Sequence, residues 1–390
     1  MTAPDMKAER EALVTQLVAA GHLKDSRLRE AVMTVPRERF LSPGIFVQPA
    51  GSYLWTPITP DSVSVADWAA QAYSDESLVT QLNGRLTADM VSEPVEGNPT
   101  SSSTLPSLVV GMIEELDLDN GHNVLEIGTG TGYSTALLCR RLGVDNVTTI
   151  EVDPAVGKRA DDALEAAGFS TWTLIGDGLL GHPYRAPYDR VIATCAVRRI
   201  PQAWLRQTAP GGVILATVGA WSYGTGLAKV VVQEDGTAEG RITGRSSFMQ
   251  ARAEAVVPLS GDLRARAYYA DDEREATFSP DLLAEWMPAF LAQLAAPDTQ
   301  LVHASDSKGP AVYLFDVRGE SFAELRQTDN QAWTVRQGGP RHIWDRVEDA
   351  IAGWHEVGSP AISAVQMRVT HERHQYWVEG DSRLRWEHAL

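Results

Sequence analysis

Cysteine is nearly absent from this chain: 390 residues carry two, Cys139 and Cys195, far apart. That scarcity argues against a disulfide framework and for a reducing compartment. No cysteine–histidine cluster has the spacing of a zinc site. His371 and His374 stand three apart beside Glu372 and Arg373 in a polar, strand-like stretch. They read as surface residues, and no metal is expected. Positive charge is in deficit, with 34 Lys and Arg against 51 Asp and Glu and a net charge of −17 at pH 7. This argues against nucleic acid as a partner; the acidity serves either solubility or the steering of a basic peptide or protein. No apolar run approaches the roughly 20 residues of a membrane helix, so no membrane partner is expected. The first fourteen residues lack the basic-then-apolar order of a secretory signal, and the expected location is cytoplasmic. Internal repeats and low-complexity segments are missing too. What remains is a globular chain long enough for two domains and a sizeable core.

Apolar spacing predicts a helix over 7–32, closed by Pro36. Residues 41–100 are irregular and rich in Pro, Ser, Thr and Trp, and read either as an insertion covering a site or as a loop-rich connection. From 101 to 218 strand and helix patterns alternate, which implies βαβ units and a mostly parallel sheet. Strands are expected at 123–127, 147–151, 172–175, 189–194 and 213–218, with helices at 104–116, 133–142, 154–167 and 201–208. Residues 227–257 read as a hairpin turning at Glu234-Asp235-Gly236. Beyond Pro258 the pattern becomes α+β: a helix near 279–295, short strands at 300–304, 311–317 and 321–327, a tryptophan-rich helix near 341–356 and a long strand near 362–379. Trp344 and Trp354 on that helix are expected in its core. The domains are then 1–100 (a helical segment and insertion), 101–257 (an α/β core with a terminal hairpin) and 258–390 (an α+β domain that recognises the substrate).

The most informative run is Val124-Leu125-Glu126-Ile127-Gly128-Thr129-Gly130-Thr131-Gly132-Tyr133. It reads as a buried strand, a glycine-rich turn and the start of a helix, and the glycines let backbone approach a ligand closely. About eighteen residues on, Glu151 ends the next strand, where an acidic residue suits ribose hydroxyls. Asp177-Gly178 and Thr194-Cys195 end the next two. In open α/β sheets ligands bind outside the carboxyl ends of the strands, so the four strand ends converge on one site. The G-x-G-x-G spacing, with acidic Glu126 before it, resembles the S-adenosylmethionine site of class I methyltransferases. That resemblance implies a Rossmann-like α/β fold with helices on both faces of the sheet. It also implies S-adenosylmethionine as cofactor and S-adenosylhomocysteine as product. Glu151 would accept from both ribose hydroxyls, and Asp177 from the adenine amino group beside Gly178. Glu126 and the turn Gly128, Thr129, Gly130, Thr131 and Gly132 would hold the methionine and ribose portions. Val152, Thr194, Ser102, Ser103 and Thr104 complete the cofactor set. For Asp177 a plain turn role stays open.

Further segments are similar to the protein-L-isoaspartate O-methyltransferase family, in the family's order: Val35-Pro36-Arg37-Glu38-Arg39-Phe40, Ser102-Ser103-Thr104-Leu105-Pro106, the glycine turn, Gly176-Asp177-Gly178, Ala186-Pro187-Tyr188-Asp189, Ile200-Pro201-Gln202-Ala203 and Pro210-Gly211-Gly212. The family's active-site serine falls on Thr104 and its histidine on Val109, and Thr194-Cys195-Ala196-Val197-Arg198 replaces its small and proline residues. Thr104 is the candidate catalytic hydroxyl, orienting the acceptor carboxylate or the cofactor; an N-cap role at the helix start near Leu105 is its alternative. Ser103, Cys195, Arg198 and Arg199 are candidate substrate contacts, the two arginines pairing with acidic groups of the peptide or forming a solvated loop. The long extension resembles methyltransferases of ribosomal peptide pathways (graspetides, lanthipeptides, imiditides). That implies esterification of an ordinary aspartate on a precursor peptide, leading to aspartimide or isoaspartate. The expected partner is thus a peptide or protein carrying a target aspartate, with a basic or pre-cyclised one left open. Isoaspartyl repair of damaged proteins and a non-catalytic adapter of a maturation complex stand as alternatives.

Overall fold

The computed structural model describes residues 6–219, 221–222, 224–255, 265, 267–306, 309–317, 321–328, 330–379 and 383–390. Two compact units emerge, Met1–Cys195 with Ala203–Leu215, and Ala196–Gln202 with Ala216–Leu390. The expected boundary at 257–258 lies outside the described residues.

In the first unit the helix expected over 7–32 is two helices, α1 (Lys7–Ala19) and α2 (Ser26–Thr34). Gly21, at φ +78°, turns the chain out of α1, a conformation that suits glycine. The Asp25 carboxylate then accepts from Leu28 N at 2.7 Å and starts α2. Apolar periodicity ran through the break because Leu13, Leu17, Leu23, Leu28 and Val32 are all buried. The region 41–100 is neither bare loop nor simple insertion. It forms β1 (Ile45–Val47), β2 (Thr56–Ile58), α3 (Val65–Ala72), β3 (Leu78–Leu82) and β4 (Pro99–Ser103). The four strands make an antiparallel sheet in the order β2-β1-β3-β4 over Phe46, Val79, Leu82 and Ala88. Strands of three to five residues carry too few alternations for a period of two to register.

Next come α4 (Pro106–Glu115), β5 (Val124–Ile127), α5 (Tyr133–Leu142), β6 (Val147–Glu151), α6 (Pro154–Ala166), β7 (Trp172–Ile175), β8 (Tyr188–Val197), α7 (Gln202–Gln207) and β9 (Thr208–Val218). β5 pairs in parallel with both β6 and β8, and β6 with β7. The chain therefore builds β5, β6 and β7 outward, then returns to lay β8 against the far side of β5. That reversal is the topological switch point at which open α/β sheets bind ligands. Both faces of these strands are covered, which is why Val124, Leu125, Ile127, Val191, Ile192 and Ala193 are all buried.

In the second unit β10 (Gly226–Val232) and β11 (Ala238–Gly244) form the expected hairpin, which ends at Gly244. There follow β12 (Asp272–Glu275), α8 (Trp286–Ala295), β13 (Thr299–Asp306), β14 (Gly309–Asp316), β15 (Phe322–Gln327), β16 (Trp333–Gly338), α9 (Ile343–Glu356), β17 (Val365–Val369), β18 (Arg373–Val378) and β19 (Arg385–Ala389). One antiparallel sheet runs β12-β16-β15-β14-β13; its outer pair β12 and β16 were not anticipated. The long strand expected at 362–379 is a hairpin of β17 and β18 turning at 370–372. β17 pairs with β11, so the 227–244 hairpin belongs with the C-terminal strands. His374, expected at the surface, is fully buried on β18. Trp344 is buried in the core of α9 against Leu314, Leu325 and Val335, its indole donating to Glu348 at 2.7 Å. Trp354 is half-buried and donates to the Pro360 carbonyl.

Candidate active site

The glycine turn begins where β5 ends. Gly128, Gly130 and Gly132 have φ of +93°, +56° and +88°, all in the left-handed region that side chains disfavour. A Cβ on Gly128 would lie 2.9 Å from Thr194 Oγ1, and one on Gly130 would meet the Ser102 carbonyl at 3.5 Å. The turn is therefore bare backbone, flanked by the end of β8 on one side and the end of β4 on another. Thr194 secures the first flank, its hydroxyl donating to the Ile127 carbonyl at 3.2 Å and to that of Gly128.

Glu151 ends β6 and reaches across to the same turn. One carboxylate oxygen accepts from Gly130 N at 2.9 Å and the other from Asp153 N at 3.0 Å. Asp153 in turn caps α6 by accepting from Ala155 N and Val156 N. Val152, the residue after Glu151, is 42% exposed, an apolar surface beside the Glu151 carboxylate. Asp177 follows β7 and caps the short helical turn at 178–180 by accepting from Leu179 N at 2.9 Å. Gly178 abuts the end of β5: a Cβ there would lie 2.5 Å from Ile127 Cγ2. Its carbonyl takes the Trp204 indole N–H at 2.8 Å. The turn role left open for Asp177 is present, and it leaves the residue exposed at the strand end.

Glu126 is placed differently. It is fully buried, accepting from the hydroxyls of Ser134, Thr135 and Thr149, the last at 2.8 Å. Burial raises its pKa above the usual carboxylate range, against the pull of those three hydroxyls. Its oxygens are spent inside the fold, joining β5, β6 and the first turn of α5 beneath the glycines. Thr129 lies there too, its hydroxyl 2.7 Å from that of Thr149. Glu126 and Thr129 side chains thus shape the turn from below, and Thr131 is half-buried on it.

Thr104 does not cap α4. The N-cap is Leu105, without a side-chain bond, and the Asp75 carboxylate accepts from Ser107 N at 2.8 Å in its place. Sequence reading missed this because the cap comes from 32 residues upstream. It also missed Arg37, a fully buried guanidinium. Nη1 donates to the carbonyls of Ala72 and Ser74 at 2.9 and 2.8 Å; Nη2 donates to Glu76, Ser103 and Thr104 at 3.1, 3.4 and 3.1 Å. Burial lowers its pKa to about 10, still charged at neutral pH. The signal was in the Val-Pro-Arg-Glu run, but a lone arginine there says nothing of five carbonyls distant in sequence. Arg37 also faces the Tyr133 ring at 5.8 Å, so one cation braces both the Thr104 segment and the residue following the glycine turn. The Ser103 hydroxyl and the Tyr133 hydroxyl are buried with no protein partner. Val109 is core on α4. Cys195 is half-buried at the end of β8. Arg198 and Arg199 belong to the second unit.

The structure therefore brings together Ser102, Ser103, the glycine turn, Glu151, Gly178 and Thr194 around the carboxyl ends of β5, β6 and β8. These residues fit S-adenosylmethionine by their chemistry. The backbone of the three glycines would lie beneath it, the Glu151 carboxylate would meet a ribose, and the bared Val152 would meet an adenine. The family profile for protein-L-isoaspartate(D-aspartate) O-methyltransferase matches residues 66–254. The protein-L-isoaspartate O-methyltransferase of Ignicoccus hospitalis is 33% identical over 215 residues, spanning 55% of this chain and 83% of that one. That of Anaeromyxobacter dehalogenans is 34% identical over 210 residues, spanning 53% and 80%. A solved structure titled protein-L-isoaspartate O-methyltransferase covers 97% of this chain and 99% of its own, with a TM-score of 0.53 at 20% identity. It shares the fold. The chain belongs to the protein-L-isoaspartate O-methyltransferase family, S-adenosylmethionine-dependent carboxyl O-methyltransferases of the class I fold.

Proposed function

We propose that this chain methylates the free carboxylate of an isoaspartyl residue in a protein or peptide. The observation that carries the reading is the meeting of the glycine turn, Glu151 and Thr194 at the switch point of a sheet in a member of this family. Bound there, S-adenosylmethionine supplies a methyl group on a cationic sulfur. The acceptor needs no base, because an α-carboxyl has a reference pKa of about 3.5 and is ionised at neutral pH. What the protein must contribute is alignment, worth roughly 7–11 kcal/mol when two reactants are held in a near-attack arrangement. The Thr104 hydroxyl, on a segment pinned by Arg37, is the group we assign to orienting the acceptor carboxylate. The ester then leaves a better leaving group than a carboxylate oxygen. The following residue's amide nitrogen bonds to the ester carbonyl, the C–OCH3 bond breaks, and the amide proton departs with methoxide as methanol. The resulting succinimide hydrolyses to aspartate or isoaspartate, which is the logic of repair.

Programmed esterification of an ordinary aspartate in a ribosomally made peptide is the second reading. Thr104 and Val109 at the family's serine and histidine positions favour it. The C-terminal extension does not, because a solved protein titled as an isoaspartate methyltransferase spans 97% of this chain. The test is S-adenosylhomocysteine release by the purified chain with an isoaspartyl peptide and with its aspartyl counterpart. Release with the isoaspartyl peptide alone is expected. Release with the aspartyl peptide alone transfers the function to the second reading, and release with neither sinks both.

A further inference from the structure

On β3 of the first unit, Gln81 is a fully buried amide. Burying an amide is costly unless its oxygen and nitrogen find partners, and both do. Oε1 accepts from Thr100 Oγ1 on β4 at 2.7 Å, and that hydroxyl oxygen accepts from Gly84 N at 2.9 Å. Nε2 donates to the Asp153 carboxylate at 3.3 Å, 72 residues away in the chain. A carboxylate offers only acceptors, so the amide nitrogen, not its oxygen, must face Asp153.

The strand is irregular at this residue. The pairing of β3 with β4 slips on both sides of Gln81, which stands opposite Ser101. In a regular strand Val79 and Gln81 would share one face and Leu82 would lie on the other. Here Val79 and Leu82 enter the same apolar core, and the Gln81 amide reaches Asp153 instead. Irregular strand pairing of this kind re-aims a side chain.

Asp153 is where the peripheral sheet meets the cofactor site. One of its oxygens caps α6, accepting from Ala155 N at 2.9 Å and Val156 N at 3.2 Å, and the other takes the Gln81 amide. Its backbone N–H donates to one oxygen of Glu151 at 3.0 Å, and Gly130 N donates to the other at 2.9 Å. Thr100, Gln81, Asp153, Glu151 and Gly130 thus form one continuous chain of bonds from β4 to the glycine turn. The turn also lies directly against β4, where a Cβ on Gly130 would meet the Ser102 carbonyl at 3.5 Å, so the chain closes on itself. We infer that Gln81 is a positioning residue for cofactor binding: by holding Asp153 it sets the Glu151 carboxylate and ties it to the strand that leads into Thr104. A binding group is held in place only as well as the bonds behind it hold, and in a buried network each member orients the next. The inference rests on the cofactor site and not on which acceptor carboxylate is methylated.

The test uses the full-length chain and three variants: Gln81→Met, Gln81→Glu, and the double variant Gln81→Glu with Asp153→Asn. S-adenosylhomocysteine is titrated into each by calorimetry, under conditions where urea curves show the protein folded. Gln81→Met keeps the length of the side chain and loses both bonds, and its dissociation constant should rise about tenfold. Gln81→Glu sets carboxylate against carboxylate and should weaken binding further. The double variant restores the bond with its polarity reversed, the new amide donating to the new carboxylate while still capping α6, and should return to within about threefold of wild type. Hydrogen exchange of the glycine turn, measured with no cofactor present, should be faster in Gln81→Met and slow again in the double variant. If Gln81→Met fails to fold, the single and double Gln81→Glu proteins decide. A Gln81 that serves stability alone would lower the urea midpoint and leave the dissociation constant of the folded protein unchanged, which overturns the inference; so does a loss of affinity in Gln81→Glu that the double variant does not recover. Methyl transfer enters neither readout, so failure of the isoaspartyl acceptor would leave the inference standing.

Discussion

Two arginines, one in each unit, are used in different ways: Arg37 is fully buried, whereas the Arg199 side chain is 18% exposed. Arg37 gives its two terminal nitrogens to five backbone carbonyls, whereas Arg199 gives its own to none and faces a cavity. The first is a structural brace: it ties the carbonyls of Ala72 at the end of α3 and Ser103 at the end of β4 to those of Ser74, Glu76 and Thr104 in the irregular chain beside them. The second has an ion pair with Asp298 at 3.6 Å, a carboxylate that Arg198 shares. The same side chain is a brace where backbone carbonyls surround it and an ion-pair partner where a carboxylate does. Several acidic and hydroxyl side chains around the glycine turn are likewise spent inside the fold. Glu126 and Thr129 are spent on neighbouring hydroxyls, and Glu151 accepts from Gly130 N of the turn with one oxygen and from Asp153 N with the other.

The contrast can be broken at four points. Arg37→Met should cost the most, about 3–4 kcal/mol of stability, because five carbonyls lose a charged donor. Urea denaturation measures it, and a loss below about 1 kcal/mol would deny Arg37 its bracing role. Glu151→Gln comes next. An amide placed where two N–H groups now donate should loosen the turn and weaken S-adenosylhomocysteine binding about a hundredfold, or ~2.7 kcal/mol, in a calorimetric titration. Unchanged affinity would remove Glu151 from the site.

Third is a pH effect confined to the second unit. His388 and His374 have folded pKa values lowered to about 4 and about 3 by burial, while the unfolded chain titrates near 6.5. The unfolded state binds those protons more tightly, so the stability the two neutral imidazoles contribute is complete above about pH 6.5. It is lost as pH falls, at about 1.4 kcal/mol per pH unit for each histidine, until each folded pKa is passed. His388→Gln should remove about half of these two residues' share of the slope near pH 5. An identical slope in wild type and variant would show that His388 is protonated in the folded state. The smallest effect belongs to Arg199→Gln, expected to change stability by less than about 1 kcal/mol in either direction, since it breaks no hydrogen bond of the described chain. A loss as large as that of Arg37→Met would make Arg199 a brace as well.

Much of the first unit was readable before any coordinates. The helix over 133–142 and the strands at 147–151 and 172–175 stand where the pattern put them: the first strand is fully buried and the second is a half-exposed edge, and both leave short apolar runs between helical stretches. The sheet within 41–100 was not readable, nor was the break at 370–372, where a polar turn interrupts a run that otherwise reads as one strand. The split between 19 and 26 was signalled only by Gly21 and Asp25, which the continuing apolar spacing outweighed.

The sequence by itself determined the α/β class, the glycine turn and the acidic residue that answers it one strand later. Those are fixed by the conformational freedom of glycine and by short-range order along the chain. Only the tertiary structure decided which charges are spent and on what: that Glu126 lies under the turn, that Asp75 does the capping that was the alternative role for Thr104, that Arg37 holds the Thr104 segment, and that Arg198 and Arg199 share Asp298. Each depends on partners tens to a hundred residues away, and the desolvation that makes a charge structural or available exists only once those partners have closed around it.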